Sequence, residues 1–282
     1  LQAIDIAEKD FRGLVIWQPK GPFSAGADLA GALGALKEGR IDDFTAMVAT
    51  FQAASQRIKY ALVPVVAAVR GLALGGGCEF QMHSARTVAH LESYIGLVEA
   101  GVGLLPAGGG LKEFAGRASA KAKNGDVFAE LKPLFEAVAM GKVSASALEA
   151  KELGLLREGD IVVFHEHELL HVARQTALGM AEAGYRPPLP NRTITAAGDV
   201  GIATFKMMLV NMLEGRMISP HDMEIATRIA TVLSGGEIDR GATVDEDWLI
   251  RLEREHFVAL AQMPKTQERI AHMLKTGKPL RN

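Results

Sequence analysis

The run Leu62-Val-Pro-Val-Val-Ala-Ala-Val69 is apolar at every position. It is too short for a core helix and rich in β-branched residues, so it predicts a buried strand. Pro64 lies near its start, where a missing N–H is tolerated. One residue later, after Arg70, comes Gly71-Leu-Ala-Leu-Gly-Gly-Gly-Cys-Glu-Phe80. Three adjacent glycines let backbone come within contact distance of another group, because no side chain intervenes. If a helix starts there, its first N–H groups point into that space and its dipole favours negative charge. A strand, a glycine turn and a helix in succession is a demanding local pattern.

Phe11-Arg-Gly-Leu-Val-Ile-Trp17 predicts an earlier buried strand, ended by Pro19 and Gly21. Arg86–His90 and Asp160–Phe164 are weaker strand candidates. Between them, Asp42–Tyr60 has helix spacing. Phe44, Met47, Val48, Phe51 and Ile58 are expected on one face, with Asp42 or Asp43 as the cap. Strands alternating with helices imply an α/β fold with parallel pairing. Tyr185-Arg-Pro-Pro-Leu-Pro-Asn-Arg192 is a proline-rich linker without regular structure. Beyond it the pattern is helical. Phe205, Met208, Leu209 and Met212 share one face, as do Ile225, Ile229, Val232 and Leu233; a third helix starts near Val244 and runs past Phe257. The Met207-Met208-Met212 stripe is assigned to core packing.

At 282 residues the chain can bury a substantial core; a prior of about 150 residues per domain suggests two domains. Its formal net charge of −2 gives no electrostatic footprint for nucleic acid or an anionic membrane. The longest stretch without Asp, Glu, Lys or Arg, Phe44–Gln56, falls short of a membrane span, and no secretion signal opens the chain. One cysteine, Cys78, excludes an internal disulfide and fits a reducing, cytoplasmic setting. The first residue is Leu1, so the chain is expected to be processed or a piece of a longer one.

Three segments could carry chemistry. The first is Phe23-Ser-Ala-Gly-Ala-Asp-Leu29, a turn of small residues after the first strand. The second is the glycine-rich segment ending in Glu79; the backbone donors of such a turn can serve a polarised carbonyl. The third is Leu97-Val-Glu-Ala-Gly-Val-Gly-Leu-Leu-Pro-Ala-Gly-Gly-Gly110, where Glu99 is the single charge. A carboxylate in such surroundings is expected to be desolvated, with its pKa raised towards an acid/base range. Paired carboxylates of this kind suit general acid/base work on a neutral substrate.

Ser24-Ala-Gly-Ala-Asp28, Ala73-Leu-Gly-Gly-Gly-Cys-Glu79 and Ile95-Gly-Leu-Val-Glu99, leading to Leu105-Pro-Ala-Gly-Gly-Gly110, follow in this order. Together they resemble the crotonase (enoyl-CoA hydratase/isomerase) superfamily, including its twenty-residue step between the two glutamates. The resemblance covers roughly residues 11–155 and returns in Glu255-His-Phe-Val-Ala-Leu260, Lys265–Ile270 and Lys278-Pro-Leu280, which resemble the family's closing helices. It implies a crotonase-like ββα superhelix core over 1–186 and a helical region over 187–282. It implies that the N–H groups of Ala27 and Gly76 form an oxyanion hole for a thioester carbonyl. Glu79 is then the base for a water attacking Cβ, and Glu99 delivers a proton to Cα. Ala25, Asp28, Leu29, Gly75, Gly77, Leu104 and Pro106 are the implied substrate contacts. The implied activity is hydration of trans-2-enoyl-CoA, with no metal and no redox cofactor. Alternatives are an enoyl-CoA isomerase or acyl-CoA hydrolase on the same scaffold, or a non-catalytic acyl-CoA-binding module; two retained glutamates favour chemistry.

The departures from the family pattern carry expectations too. Leu1–Pro22 is too short for the family's opening β-hairpin, Ala85 replaces a frequent Asp, Ala118–Pro133 resembles an insertion, and residues from about 187 to 250 are extra. These resemble the C-terminal hydratase module of a bifunctional β-oxidation protein. NAD and a 3-hydroxyacyl-CoA dehydrogenase module would then belong to the rest of that protein, because no Gly-x-Gly-x-x-Gly follows a strand here. A homo-oligomer, trimeric by analogy, is also expected.

Other motifs take plainer readings. His167-Glu-Leu-Leu-His171 matches the zinc-hydrolase pattern but lacks a third ligand, so it is assigned to a surface helix. Cys78 is assigned to packing, Glu136 to structure, and Lys265, Lys275 and Lys278 to solvated charge, with CoA phosphates as the alternative.

Overall fold

Apart from the side chain of Asn124, the computed structural model describes residues 1–282. In chain order, α1 (Gln2–Asp10) leads into β1 (Leu14–Trp17), α2 (Leu29–Lys37), α3 (Ile41–Lys59) and β2 (Val65–Leu74). Then come α4 (Gly76–His83), β3 (Arg86–Gly96), α5 (Gly110–Lys121), α6 (Val127–Ala139), α7 (Ala147–Glu152), β4 (Ile161–Val163) and α8 (Leu169–Glu182). The last part holds β5 (Ile194–Thr195), α9 (Gly198–Glu214), α10 (Pro220–Leu233), β6 (Thr243–Val244), α11 (Glu246–Ala261) and α12 (Pro264–Thr276). The chain divides into two units that interleave in sequence. One comprises Leu1–Gly26, Phe51–Leu97 and Val143–Leu189; the other comprises Ala27–Thr50, Val98–Lys142 and Pro190–Asn282.

The first unit is built on a parallel sheet, as the apolar runs predict, but the run Phe11–Trp17 is a strand only from Leu14 and is not buried as expected, with Phe11 and Trp17 exposed. Its strands stand in the order β1-β2-β3-β4, every pair parallel. Alternate residues of β2 serve opposite faces, as strand geometry requires. Val66 and Ala68 pack with Val88, Val163 and the Leu169, Ala173 and Ala177 stripe of α8. Val65 packs with Ile4, Ile58 and Ala61, with Leu14, Ile16 and Phe80 beside them. A sheet covered on both faces needs apolar side chains at consecutive positions, which explains why Val65–Val69 is buried throughout.

Several details differ from expectation. Asp42 and Asp43 lie inside the first turn of α3, where they favour its positive end, rather than at its cap. Met47 is exposed, because the buried face of α3 runs through Phe44, Val48, Gln52, Ser55 and Ile58. Strand β3 extends to Gly96, six residues past His90, with Ser93, Ile95 and Gly96 buried and Glu92 and Tyr94 exposed; a register shift against β2 falls at Val69/Gly71. Residues 2–10 form a helix without a strong sequence signal, seated by Ile4 and Ala7.

Glu8 holds that helix in place. Its carboxylate accepts from Arg57 Nη1 at 2.6 Å and Nη2 at 2.5 Å, and from the Leu62 N–H at 2.8 Å. The hydrogen bond from Arg57, with that of Leu62 and the guanidinium charge, outweighs burial and lowers the Glu8 pKa to about 2.

The second unit is mainly helical. Phe205 of α9 packs against Phe128 and Phe135 of α6, and Phe44 stacks on Phe257. Ile225, Ile229, Val232 and Leu233 are all buried, and α11 begins at Glu246, as the spacing predicts. In the Met stripe, Met208 and Met212 are half-buried, but Met207 is 62% exposed, so the stripe is only partly core. The linker Tyr185–Arg192 is irregular. An antiparallel pairing of β5 with β6 was not legible, because two-residue strands carry no periodicity.

The first turn of α5 is capped from far away in sequence. The fully buried Glu253 of α11 accepts from the N–H groups of Gly109 and Lys112, both at 2.7 Å. A carboxylate there satisfies two backbone donors and complements the helix dipole.

Two predictions follow from these carboxylates. Glu253→Gln presents an amide where an acceptor is needed and should cost about 2–3 kcal/mol in urea unfolding. Glu8 is depressed from 4.5 in the folded state, so the unfolded chain takes up its proton first. Its contribution is therefore complete above pH 4.5 and lost as pH falls towards 2. Glu8→Gln should remove about 1 kcal/mol near neutral pH and flatten the acid limb of a stability–pH curve.

Candidate active site

Strand β2 ends at Leu74 and α4 begins at Gly76, with Gly75 as the single residue between them. Gly75 takes φ 54° and ψ −124°, a conformation that only glycine adopts without strain. Its N–H donates to the Gly96 carbonyl at 2.9 Å, and its carbonyl accepts from Glu79 N–H at 3.0 Å. A Cβ on Gly77 would lie 2.2 Å from Ser24 Cβ, and one on Gly76 would lie 2.7 Å from Phe51 Cζ. The glycine triplet is thus demanded by the turn and by two close approaches. The first N–H groups of α4 lie outside the helix's own hydrogen-bond ladder and carry the positive end of its dipole.

Ser24 is fixed in turn. Its N–H donates to the Leu72 carbonyl at 2.9 Å, and its carbonyl accepts from Leu74 N–H at 3.0 Å. It therefore pairs with β2 as an isolated parallel bridge at Ala73. Its hydroxyl accepts from Gly26 N–H at 3.3 Å, and Ala25 is exposed beside it.

Glu79 lies one turn into α4 and is 2% exposed. The helix around it is buried at Gly77, Cys78, Gln81, Met82 and His83. His83 Nδ1 donates to the Glu79 carbonyl oxygen at 2.6 Å, because that oxygen can only accept. Gln81 Nε2 donates to the Leu155 carbonyl at 3.1 Å, and Thr87 Oγ1 donates to the Gln81 side-chain carbonyl at 3.1 Å. Every contact in this paragraph lies in the first unit, with Gly75, Gly76, Gly77, Glu79 and Ala25.

The second unit holds Ala27, Asp28, Leu29, Glu99, Leu104 and Pro106. Ala27 is exposed, just ahead of the α2 cap. Asp28 is that cap: its Oδ1 accepts from Ala30 N–H and Gly31 N–H, both at 3.1 Å. Its side chain therefore has a structural task that the sequence reading did not assign, and Leu29 is the first helical residue. Glu99 opens a 3₁₀ turn, Glu99–Val102, which closes through Leu104 N–H donating to the Glu99 carbonyl at 3.0 Å. Leu104 and Pro106 are buried in the segment that follows.

A model of the family described as "Enoyl-CoA hydratase/isomerase" matches residues 1–186. The chain belongs to the enoyl-CoA hydratase/isomerase family. It is 38% identical over 281 residues to the "Probable 3-hydroxyacyl-CoA dehydrogenase" of Bacillus subtilis (strain 168), covering 100% of this chain and 35% of that protein. It is 33% identical over 100 residues to the "Fatty acid oxidation complex subunit alpha" of a Psychrobacter cryohalolentis strain, covering 35% of this chain and 14% of that one. The chain thus spans about a third, or less, of the relatives it matches. Its fold is that of the enoyl-CoA hydratase from Bacillus halodurans, with a TM-score of 0.59 and 17% identity over 96% of this chain and 86% of that one.

In this hydratase/isomerase-family chain, His167 lies in a 3₁₀ turn (Glu166–Glu168) and His171 in α8, so the zinc-like pattern does not share one helix; both are exposed. Among the described residues no group of three or more His, Cys, Asp or Glu could hold a metal ion. No helix among them is long and apolar enough to cross a membrane. Cys78 is buried. Glu136 faces Lys132 one turn away on an exposed face, 4.0 Å apart. A cavity of about 190 Å³ lined by Val127, Phe128, Thr204 and Arg240 includes none of the candidate residues. Ser24 and Phe51 escaped the sequence reading as supports of the glycine turn, since nothing local marks which side chain a distant glycine will touch.

Gly77→Ala should strain the turn against Ser24. The expected result is a loss of about 2 kcal/mol in chemical unfolding, together with loss of the activity argued below.

Proposed function

We propose that the chain is an enoyl-CoA hydratase module that adds water to trans-2-enoyl-CoA, giving 3-hydroxyacyl-CoA in fatty-acid β-oxidation. The observation that carries this reading is the buried Glu79 on a helix opened by a glycine turn, within a chain of this family that also keeps Glu99. In the proposed reaction, the N–H groups of Ala27 and Gly76 stabilise the thioester oxygen as enolate charge develops there. One such preorganised donor contributes about 3–4 kcal/mol in comparable enzymes. Glu79, ionised, takes a proton from water as the water oxygen bonds to Cβ. Glu99, protonated, gives its proton to Cα. The carbon–carbon double bond is consumed, one water is added, and proton exchange between the glutamates and solvent resets the pair.

The reaction so written needs no metal and no redox cofactor. Gly75 and Gly77 shape the turn, while Ala25, Asp28, Leu29, Leu104 and Pro106 are proposed to flank the acyl-CoA; for Asp28 this is through the helix it caps. We further infer that the chain acts within a longer bifunctional protein, whose other part carries an NAD-dependent 3-hydroxyacyl-CoA dehydrogenase. The name and length of the Bacillus subtilis relative support this. Catalysis is assigned to 1–186, the segment matched by the family, with 187–282 as a helical region. Homo-oligomerisation and a cytoplasmic location belong to the same reading; the buried lone Cys78 accords with a reducing compartment.

The test is loss of the conjugated enoyl-thioester absorbance on adding the chain to trans-2-butenoyl-CoA. Turnover is expected, and Glu99→Gln should lower it by about 10²–10⁴-fold while acyl-CoA binding persists. Turnover that survives in Glu99→Gln would remove the assigned role. Acyl-CoA binding without turnover in the unaltered chain would point to a binding module.

A further inference from the structure

The 3₁₀ turn that opens with Glu99 ends at Gly103, whose φ is 85°. A Cβ at Gly103 would lie 3.0 Å from both Cα and Oγ1 of Thr266, so the turn sits directly against the first turn of α12. Thr266 is fully buried, and its Oγ1 donates to the Gly103 carbonyl at 2.9 Å. The same oxygen lies 2.9 Å from Nε2 of His221, a buried residue in the first turn of α10. A hydroxyl has one proton. With that proton on the Gly103 carbonyl, Nε2 of His221 must be the donor to Thr266. Burial, and then the positive charges of Arg269 and Lys265, push the His221 pKa below its ordinary value. The neutral Nε2–H form satisfies the geometry.

The helices at either end of this chain of bonds are themselves locked. Ser219 and Asp222 form a capping box at the start of α10. The nearly inaccessible Arg269 of α12 donates to Asp222 at 2.7 Å and to the Ser219 hydroxyl at 3.2 Å. His221 lies between those two capping residues, and Thr266 is three residues before Arg269. The hydroxyl of Thr266 is therefore presented to Gly103 from a fixed frame.

We propose that Thr266 and His221 are positioning residues for Glu99, holding its turn through the Gly103 carbonyl. This rests on the reading of Glu99 as the proton donor of the hydration. A displacement of about 1 Å in a catalytic group can cost about 10²-fold in rate, so losing the tether should appear in kcat before KM.

The test uses the full chain with Thr266→Val, Thr266→Ser, His221→Leu and His221→Gln. Two quantities are read: amide hydrogen exchange in the 99–104 turn, and kcat and KM for trans-2-butenoyl-CoA hydration. Thr266→Val and His221→Leu should speed exchange in that turn by about tenfold or more, with α4 unchanged. They should lower kcat by about 10- to 100-fold while KM moves less than about twofold. Thr266→Ser keeps the hydroxyl and His221→Gln keeps an N–H donor, so both should restore the turn and the rate. Unchanged exchange in Thr266→Val overturns the proposal, as does a Ser variant as impaired as Val, or a change confined to KM. If the unaltered chain fails to hydrate but the exchange differences hold, the hydratase reading falls and the tether stands. If it hydrates and exchange does not respond, the tether alone falls.

Discussion

Gly77 has no room for a side chain. The space a Cβ would need is taken by Ser24, whose own backbone is hydrogen-bonded on both sides to the end of β2. That contact ties three separate pieces of chain into one: the strand, the segment after Pro22 and the first turn of α4. Everything downstream in α4 inherits its position from it. Glu79 is buried because the helix is seated against Ser24 and Phe51 before its first turn is complete. The energetic logic is that of close packing rather than of any strong bond. A single methyl group at the contact forces backbone to move, and backbone here belongs to a sheet that cannot shift without breaking its ladder.

The two glutamates depend on different kinds of information. Glu79 is placed by the strand that runs straight into its helix, whose register is set by hydrogen bonds, and by the contacts of its first turn with Ser24 and Phe51. Glu99 stands on a short 3₁₀ turn, a conformation with poor hydrogen-bond geometry and little intrinsic persistence. Such a turn takes its stability from what it rests on, and what it rests on lies more than a hundred residues later. A side chain on a weakly self-stabilised turn can be shifted without disturbing the core of the sheet, whereas one buried in a packed helix cannot.

This difference also decides what could be read from the sequence. The apolar run after Pro64, the glycine triplet and the position of Glu79 are local patterns, and they matched a parallel strand and the helix start; the pair before Pro64 did not, since the strand begins at Val65 and Leu62 is exposed. The helical faces of α9 and α10 were legible because period and burial coincide over three or more turns. Helix α1 was not, since its docking depends on Arg57 reaching Glu8 across forty-nine positions. The exposure of Met47 was missed because helix spacing gives an apolar stripe but not its width. Asp28 shows a subtler limit. The motif marks it as part of a functional segment, yet its carboxylate is committed to capping α2, and no sequence pattern separates those two tasks. The tether at Gly103 was invisible for a plainer reason: a buried threonine and a buried histidine have no signature until their neighbours are known.

The mainly helical unit contains side chains that rarely tolerate burial: Lys112, Glu253 and Arg269 are all at most 1% exposed. Each is met by hydrogen bonds, Lys112 to Glu113 at 2.6 Å and Glu246 at 3.3 Å, Arg269 to Asp222, Glu253 to two backbone N–H groups. Buried pairs of this kind gain little over apolar residues of the same volume, but leaving one partner unmet costs about 3–5 kcal/mol. Their effect is therefore selective. In a sheet, the hydrogen-bond ladder penalises a slip of register. Packed helices have no ladder between them and can slide or rotate over an apolar contact at small cost. A buried charge with one matching partner supplies the missing penalty, because any displaced packing strands it. Glu253 fixes α11 to the start of α5, and Arg269 fixes α12 to the capping residues at the start of α10; for Glu253 the anchored point is a set of helix N-terminal N–H groups, which its displacement would leave unmet.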